Sequence, residues 1–299
     1  MIFKWQVNNE SPQHLRTFLM SMGISRSLLK SIKFNGGNIK VNGVDRHTNY
    51  MVRQKDIVEV RLPAEPSNPH VTFSKKSIEI VYEDDNFLVV NKPPYLATVQ
   101  SSSNQVDTLV NRVKYYLYES KNESQIVHVV TRLDQDTSGL VLFAKHRFAH
   151  TVLDRQLKKH SIKKMYKAIV VGYFPKKYGV IDSFIKRDPS SFIKRMVGED
   201  GKKSLTEYWV RKEMKGYSLV EIRLHTGRTH QIRVHMASIG HALLGDPLYN
   251  QNDRGVILKR QALCCYSLQF YSPFDQKDIK CQIPISEDMI NAWKQLKEE

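Results

Sequence analysis

Residues 128–146 read HVVTRLDQDTSGLVLFAKH. A β-like run ends near Val130, a short polar bend TRLDQDTSG follows, and a continuous apolar run leaves it, the pattern of two strands joined through a tight turn. Two carboxylates, Asp134 and Asp136, sit in that bend, although the chain carries a formal net charge of +16. An Asx-type turn, in which the side chain bonds its own backbone, accounts for Asp136. Asp134 is different because basic residues surround the segment: Arg132, Lys145, Arg147 and the run RQLKKHSIKK from Arg155 to Lys164. In a strongly positive field a carboxylate stays ionised and available as a nucleophile.

The rest of the chain sets the context. Its 299 residues suffice for one large core or two domains, and 41% hydrophobic with 25% charged residues is an ordinary globular balance. Lys and Arg outnumber Asp and Glu by 46 to 30, which favours a polyanionic partner, nucleic acid ahead of a membrane surface. The N-terminus lacks a continuous apolar segment, and no run approaches the ~20 apolar residues that span a bilayer. A cytoplasmic location without membrane contact is expected. Cys264, Cys265 and Cys281 are too few and too badly spaced for a disulfide scaffold or a zinc site. His225, His230, His235 and His241 lack the spacing that puts two ligands on one helical face.

Upstream, SPQHLRTFLMSMG predicts a helix capped by Ser11 with Pro12 in its first turn, and SRSLLKSIKFNGG a second capped by Ser25. NIKVNGVDRH reads as a hairpin turning at Asn42-Gly43, and DIVEVRL as a further strand. Arg26, Lys30 and Lys33 fall on the polar side of the second helix, with Lys40 and Arg46 nearby. Residues 13–61 resemble an S4 RNA-binding domain, whose pattern is two short helices, a V-N-G hairpin and a final strand. The stretch from Pro63 to residue 75, with Pro66 and Pro69, is expected to be a semi-extended linker. It would separate an S4-like unit at 1–70 from a domain at 76–299.

Beyond residue 76 strands dominate, with helices expected in VDTLVNRVKYYLYES, RFAHTVLDRQLKKH and THQIRVHMASIG. The order lacks regular βαβα spacing, so the fold class is α+β, with a mixed, largely antiparallel sheet and flanking helices.

Residues 78–285 resemble the RluA family of pseudouridine synthases. TRLDQDTSGL matches the signature H-R-L-D-x-x-T-S-G-L, YEDDNFLVVNKPPYL its opening motif, KKMYKAIVVG the K-x-Y-x-A-x-V-x-G motif, and LHTGRTHQIRVHMASIGHALLGDPLY a long motif almost throughout. The resemblance implies that Asp134 is the catalytic aspartate, Arg132 a companion that holds the nucleotide, Tyr166 the ring that stacks on the target base, and Arg233 the cation paired with Asp134. Arg228 is expected to meet phosphate or to be structural, and Asp246 to tie down its loop. Lys92, Lys163 and Lys164 join Arg26, Lys30, Lys33 and Arg228 as expected RNA contacts. Thr131 stands where the family has His, Tyr95 where it has Gly, and Ala242 at a frequent Pro position.

The implied reaction, uridine to pseudouridine, is an isomerisation that uses no metal and no cofactor, and the chain shows neither a dinucleotide fingerprint nor a phosphate loop. The expected partner is structured RNA, ribosomal before transfer RNA, acted on by a monomer without an obligate protein partner. Two other classes compete. A non-catalytic RNA-binding or ribosome-assembly protein would need the same basic surface but not Asp134, Tyr166 and Arg233. An RNA-cleaving hydrolase would need an acid–base pair or metal carboxylates, which are not evident.

Overall fold

A computed structural model describes residues 1–101, 106–250 and 257–298. The N-terminal segment runs β1 (Ile2–Gln6), β2 (Gln13–His14), α1 (Leu15–Ser21), α2 (Arg26–Phe34), β3 (Asn38–Val41), β4 (Val44–Asp45), β5 (Met51–Val52) and β6 (Ile57–Arg61). Four of these strands form an antiparallel sheet in the order β1-β6-β3-β4. Ser25 caps α2, its hydroxyl accepting from the Leu28 N–H at 3.2 Å. Asn42 and Gly43 both take positive φ, as a two-residue hairpin turn requires. The first helix starts later than expected. Gln13 and His14 pair with Val52 and Met51, so that ladder holds the chain extended and helix begins only at Leu15.

The expected linker is tied down. Glu65 hydrogen-bonds His128 at 2.6 Å and accepts the Arg147 N–H at 2.9 Å, and Lys114 donates to the Asn68 carbonyl at 2.7 Å. The N-terminal core, which includes Leu15, Phe18, Leu28 and Ile32, also takes in Phe148 and Val152 from beyond the linker. Phe3 meets the edge of Phe148 at 5.0 Å and lies 5.7 Å from Phe274. The aromatic face of β1 is thus packed against residues that follow the linker.

The remainder continues β7 (Glu79–Glu83), β8 (Phe87–Lys92), α3 (Leu109–Glu119), β9 (His128–Val129), β10 (Ser138–Ala144), α4 (Arg147–Lys158), β11 (Lys163–Val171), β12 (Tyr178–Arg187), β13 (Arg195–Val197), β14 (Lys202–Met214), β15 (Tyr217–Leu224), α5 (Gln231–Ser238), β16 (Leu263–Ser272), β17 (Lys277–Gln282) and α6 (Glu287–Glu298). The sheet order is β13-β12-β14-β15-β11-β16-β10-β8-β7, with β17 on β16 and β9 on β10. Every described pairing is antiparallel except β10 with β16. The protein is thus α+β with a mixed, mostly antiparallel sheet.

β10 is buried along its whole length. Leu140 and Leu142 face one core with Phe87 and Ala168, while Val141 and Phe143 face the other with Val113 and Leu117 of α3. Burial on both faces explains why the sequence after the polar bend is apolar without alternation. Gly139 has φ +115°, and a Cβ there would lie 2.2 Å from the Cys265 carbonyl oxygen, so the start of β10 can approach β16 only as glycine. Helix α6 was missed by the sequence reading. Its signal was short, with Glu287 and Asp288 in the first turn and Met289, Ala292 and Leu296 on the buried stripe. β12 and β13 were also missed, their apolar residues being interrupted by the Lys and Arg of 185–196.

Candidate active site

The bend between β9 and β10 is held from beneath by two buried cations. Lys92, at the end of β8, is fully buried, and its ammonium donates to the carbonyls of Pro93, Leu96 and Gln135 at 2.9, 2.8 and 2.8 Å. Three donors meet three acceptors. Burial pushes the Lys92 ammonium down to about 7, against the pull of Asp136 and Asp134. Lys92 is thereby corrected as an RNA contact, since its charge faces the underside of the bend, out of reach of a phosphate. Arg260, also fully buried, donates to the Asp136 carbonyl at 3.0 Å and holds Asp288 at 2.7 and 2.8 Å. Thr98 donates to the Leu133 carbonyl at 2.7 Å, and Thr131 accepts the Leu142 N–H at 2.9 Å. Where the family has His, Thr131 thus fixes the bend to its own strand.

Above this floor a cavity of about 860 Å³ opens, and Asp134, Tyr166, Lys164, Arg132, Arg228 and Arg233 all line it. Asp134 is part-exposed, 3.5 Å from Arg233 and 4.0 Å from His230. Arg233 is buried in α5 and gives its strongest contacts elsewhere, two hydrogen bonds of 2.7 and 2.8 Å to the fully buried Asp246. Burial works against the Arg233 charge, and Asp246 followed by Asp134 outweighs it, so its pKa lies above the ordinary guanidinium value. Asp246 also accepts the N–H groups of Leu248 and Tyr249. It ties down its loop as expected, and in addition it orients the cation beside Asp134.

His230 begins the same turn with φ +57°, its Nδ1 3.0 Å from the Tyr249 hydroxyl. Burial pushes its imidazole below the ordinary value, against the pull of Asp134. Tyr166 is buried on β11 at a register break beside Cys265. Burial, then the Cys265 thiol, holds its phenol well above the ordinary value. Arg132 is exposed at the rim, and Arg228 is also exposed, with its Nε on the Lys203 carbonyl at 3.2 Å.

Strand alternation separates two lysines that look equivalent in the sequence. Lys164 lines this cavity, and burial lowers its ammonium's pKa. Lys163 points to the other face, into a groove with Met22, Arg155 and Tyr271. Arg26, Lys30 and Lys33 are exposed on α2, away from the cavity. Sequence reasoning missed Lys92 as a clamp, Arg260 and Tyr249. Lys92 stood in the quoted N-K-P and Tyr249 in G-D-P-L-Y, whereas Arg260 carried no local signal.

Tyr95 is exposed with φ +62° in the loop whose Leu96 carbonyl Lys92 holds, a conformation that favours glycine. No helix among the described residues is long and apolar enough to cross a membrane.

A family profile described as RNA pseudouridylate synthase matches residues 86–238. The uncharacterized RNA pseudouridine synthase YjbO of Bacillus subtilis is 37% identical over 280 residues, covering 94% of this chain and 98% of that protein. The ribosomal large subunit pseudouridine synthase D of Zymomonas mobilis is 35% identical over 286 residues, covering 91% and 90%. Among solved structures, human RNA pseudouridylate synthase domain containing 1 superposes with a TM-score of 0.59 at 26% identity, covering 71% of this chain and 84% of that one. The residues matched by the profile include the bend, β11 and α5, and so carry Asp134, Tyr166 and Arg233; this chain belongs to the RNA pseudouridylate synthase family.

Proposed function

We propose that this protein converts specific uridines of RNA, ribosomal RNA of the large subunit in particular, to pseudouridine. The observation that carries the reading is the placement of Asp134: a part-exposed carboxylate on a bend clamped by Lys92 and Arg260, 3.5 Å from a buried arginine, in a basic cavity that Tyr166 also lines. The name of the Zymomonas relative supports the choice of ribosomal RNA.

In this reaction the C1′–N1 bond breaks, the base turns, C5 bonds C1′, the C5 proton leaves and N1 gains a proton. Atoms balance without an added reagent. Asp134 serves the first step as an anion, by attack on C1′ or by taking the C2′ proton, and both routes need it ionised. Arg233 supplies the countercharge, held rigid by Asp246. Tyr166 offers a flat face to a base taken out of its stack, and its hydroxyl stays protonated. Arg132 holds the target nucleotide, and Lys164 and Arg228 meet the phosphates around it.

Away from the cavity, Arg26, Lys30 and Lys33 form the outer face of an S4-like unit at 1–70 that grips RNA backbone, and Lys163 extends the contact along α4. The enzyme works as a cytoplasmic monomer without an obligate protein partner. The test is to map pseudouridines in cellular RNA with and without the gene, then restore each lost site with purified protein. The product must have the same mass as the substrate. Restored sites in large-subunit RNA are the expected result; shortened RNA, or no lost site, would overturn the reading.

A further inference from the structure

The β12–β13 hairpin carries a feature that the chemistry does not use. Phe192, in the turn between the strands, is 94% exposed and Ile193 beside it 61%. A side chain so apolar and so bare is unusual when the turn beneath it is well built. Asp188 accepts from the Ser190 N–H and hydroxyl at 2.9 and 2.7 Å, and Ser191 accepts from the N–H groups of Ile193 and Lys194 at 3.3 and 3.1 Å. The turn therefore presents Phe192 outward in a fixed way.

Two further observations say what it meets. Residues 185–203 hold six Lys and Arg against three acids, so the ground around the apolar tip is basic. The hairpin is also joined to the active site, at the strand end next to the turn. The Arg195 N–H donates to the Tyr249 hydroxyl at 2.8 Å, that hydroxyl is 3.0 Å from His230, and His230 is 4.0 Å from Asp134. Phe192 lies three residues up the chain from Arg195, at most about 11 Å of backbone. An aromatic on basic ground, in a turn joined to the catalytic carboxylate through Arg195, Tyr249 and His230, fits RNA better than an apolar protein surface.

We propose that Phe192, backed by Ile193, is a wedge that stacks into the RNA beside the target uridine and holds open the gap left when that base enters the cavity. Resting on the proposed function, this deepens it: the protein opens paired substrate itself. Aromatic and aliphatic tips inserted between bases unstack them, and single strands need no such help.

The experiment compares two RNAs around a mapped uridine, a stem-loop that pairs it and a short single strand of the same sequence, each with 2-aminopurine beside the target. Wild type is expected to raise 2-aminopurine fluorescence in the stem-loop. Phe192→Ala should abolish that rise and slow saturating single-turnover isomerisation of the stem-loop at least about tenfold, leaving the single strand within about twofold, while Phe192→Trp restores both signals. Equal losses on the two RNAs, or none on the stem-loop, would overturn the wedge. A wild type that forms no pseudouridine on either RNA defeats the proposed function instead, and the fluorescence rise still decides the wedge. Sedimentation of both proteins without RNA supplies one further outcome: self-association lost only in Phe192→Ala, with fluorescence unchanged, would reassign the tip to a second copy of the chain.

Discussion

Arg233 gives Asp246 two hydrogen bonds of 2.7 and 2.8 Å while keeping a third nitrogen 3.5 Å from Asp134. The guanidinium is thus anchored to a buried carboxylate before it serves the exposed one. Removing Asp246 leaves a buried cation with only the part-exposed Asp134 beside it, at 3.5 Å, so Asp246→Asn should cost about 3 kcal/mol of stability as well as activity. The double substitution Arg233→Met with Asp246→Asn, which keeps an acceptor for the Leu248 and Tyr249 N–H groups, should recover most of that stability and none of the activity. Denaturant melts beside single-turnover rates separate the two effects; a double variant that isomerises normally would remove Arg233 from the mechanism.

Asp134→Asn should lower the chemical step by more than about a thousandfold with RNA affinity largely kept, since the amide keeps the size but cannot act as the anion. Asp136→Asn should stay within a few-fold, because the bend is held there through the Asp136 backbone carbonyl, which Arg260 grips. Rates at saturating RNA, with binding measured separately, check both.

Gly139→Ala should be severe although it adds one methyl. The new Cβ would meet the Cys265 carbonyl at 2.2 Å, and φ +115° disfavours any side chain. A loss of at least about 2 kcal/mol is expected, read from thermal melts, with activity falling even where the protein folds, because Gly139 follows the catalytic bend directly.

Deleting residues 1–62 should not release a well-behaved catalytic domain. Phe148 and Val152 lie in the N-terminal core, and Phe274 packs against it, so all three would be bared together. The truncated chain is expected to aggregate, and polar substitutions at Phe148 and Val152 should restore its solubility. A soluble, unaltered truncation with a normal melting temperature would contradict this packing.

His146 should give the protein an acid-sensitive stability. Its Nδ1 caps α4 by accepting the Ala149 N–H at 3.2 Å, and its Nε2 is 3.0 Å from Asn86 Oδ1. Burial drives its pKa down to about 3. With the folded value below the unfolded one, near 6.5, the unfolded chain binds the extra proton. Stability from this group is therefore intact above about pH 6.5 and falls by about 1.4 kcal/mol per pH unit between there and about 3. His146→Asn keeps a cap without a titration, so its stability should fall less steeply over that window; identical slopes would remove His146 as the cause.

Motif and period made much of this protein legible in one dimension. The strand–bend–strand around Asp134, the helix capped by Ser25, the Asn42-Gly43 turn and the α+β texture all depend on residues close in the chain, where local sterics and hydrogen bonding act. What the tertiary structure decided depends on contacts that no local pattern encodes. Lys92 looked like an RNA-binding lysine until the bend 43 residues later closed over it. Arg260 carried no signal, since its role comes from Asp136 and Asp288 arriving from both directions along the chain. Lys163 and Lys164 are neighbours with the same charge, and only the sheet sends one to the catalytic cavity and the other to a separate groove. The N-terminal unit looked autonomous because it carries its own helices and hairpin, yet its aromatic face is buried by residues nearly 150 and 270 positions along the chain. Local preference names the elements; burial of charge and closure of apolar faces, both long-range and cooperative, choose their partners.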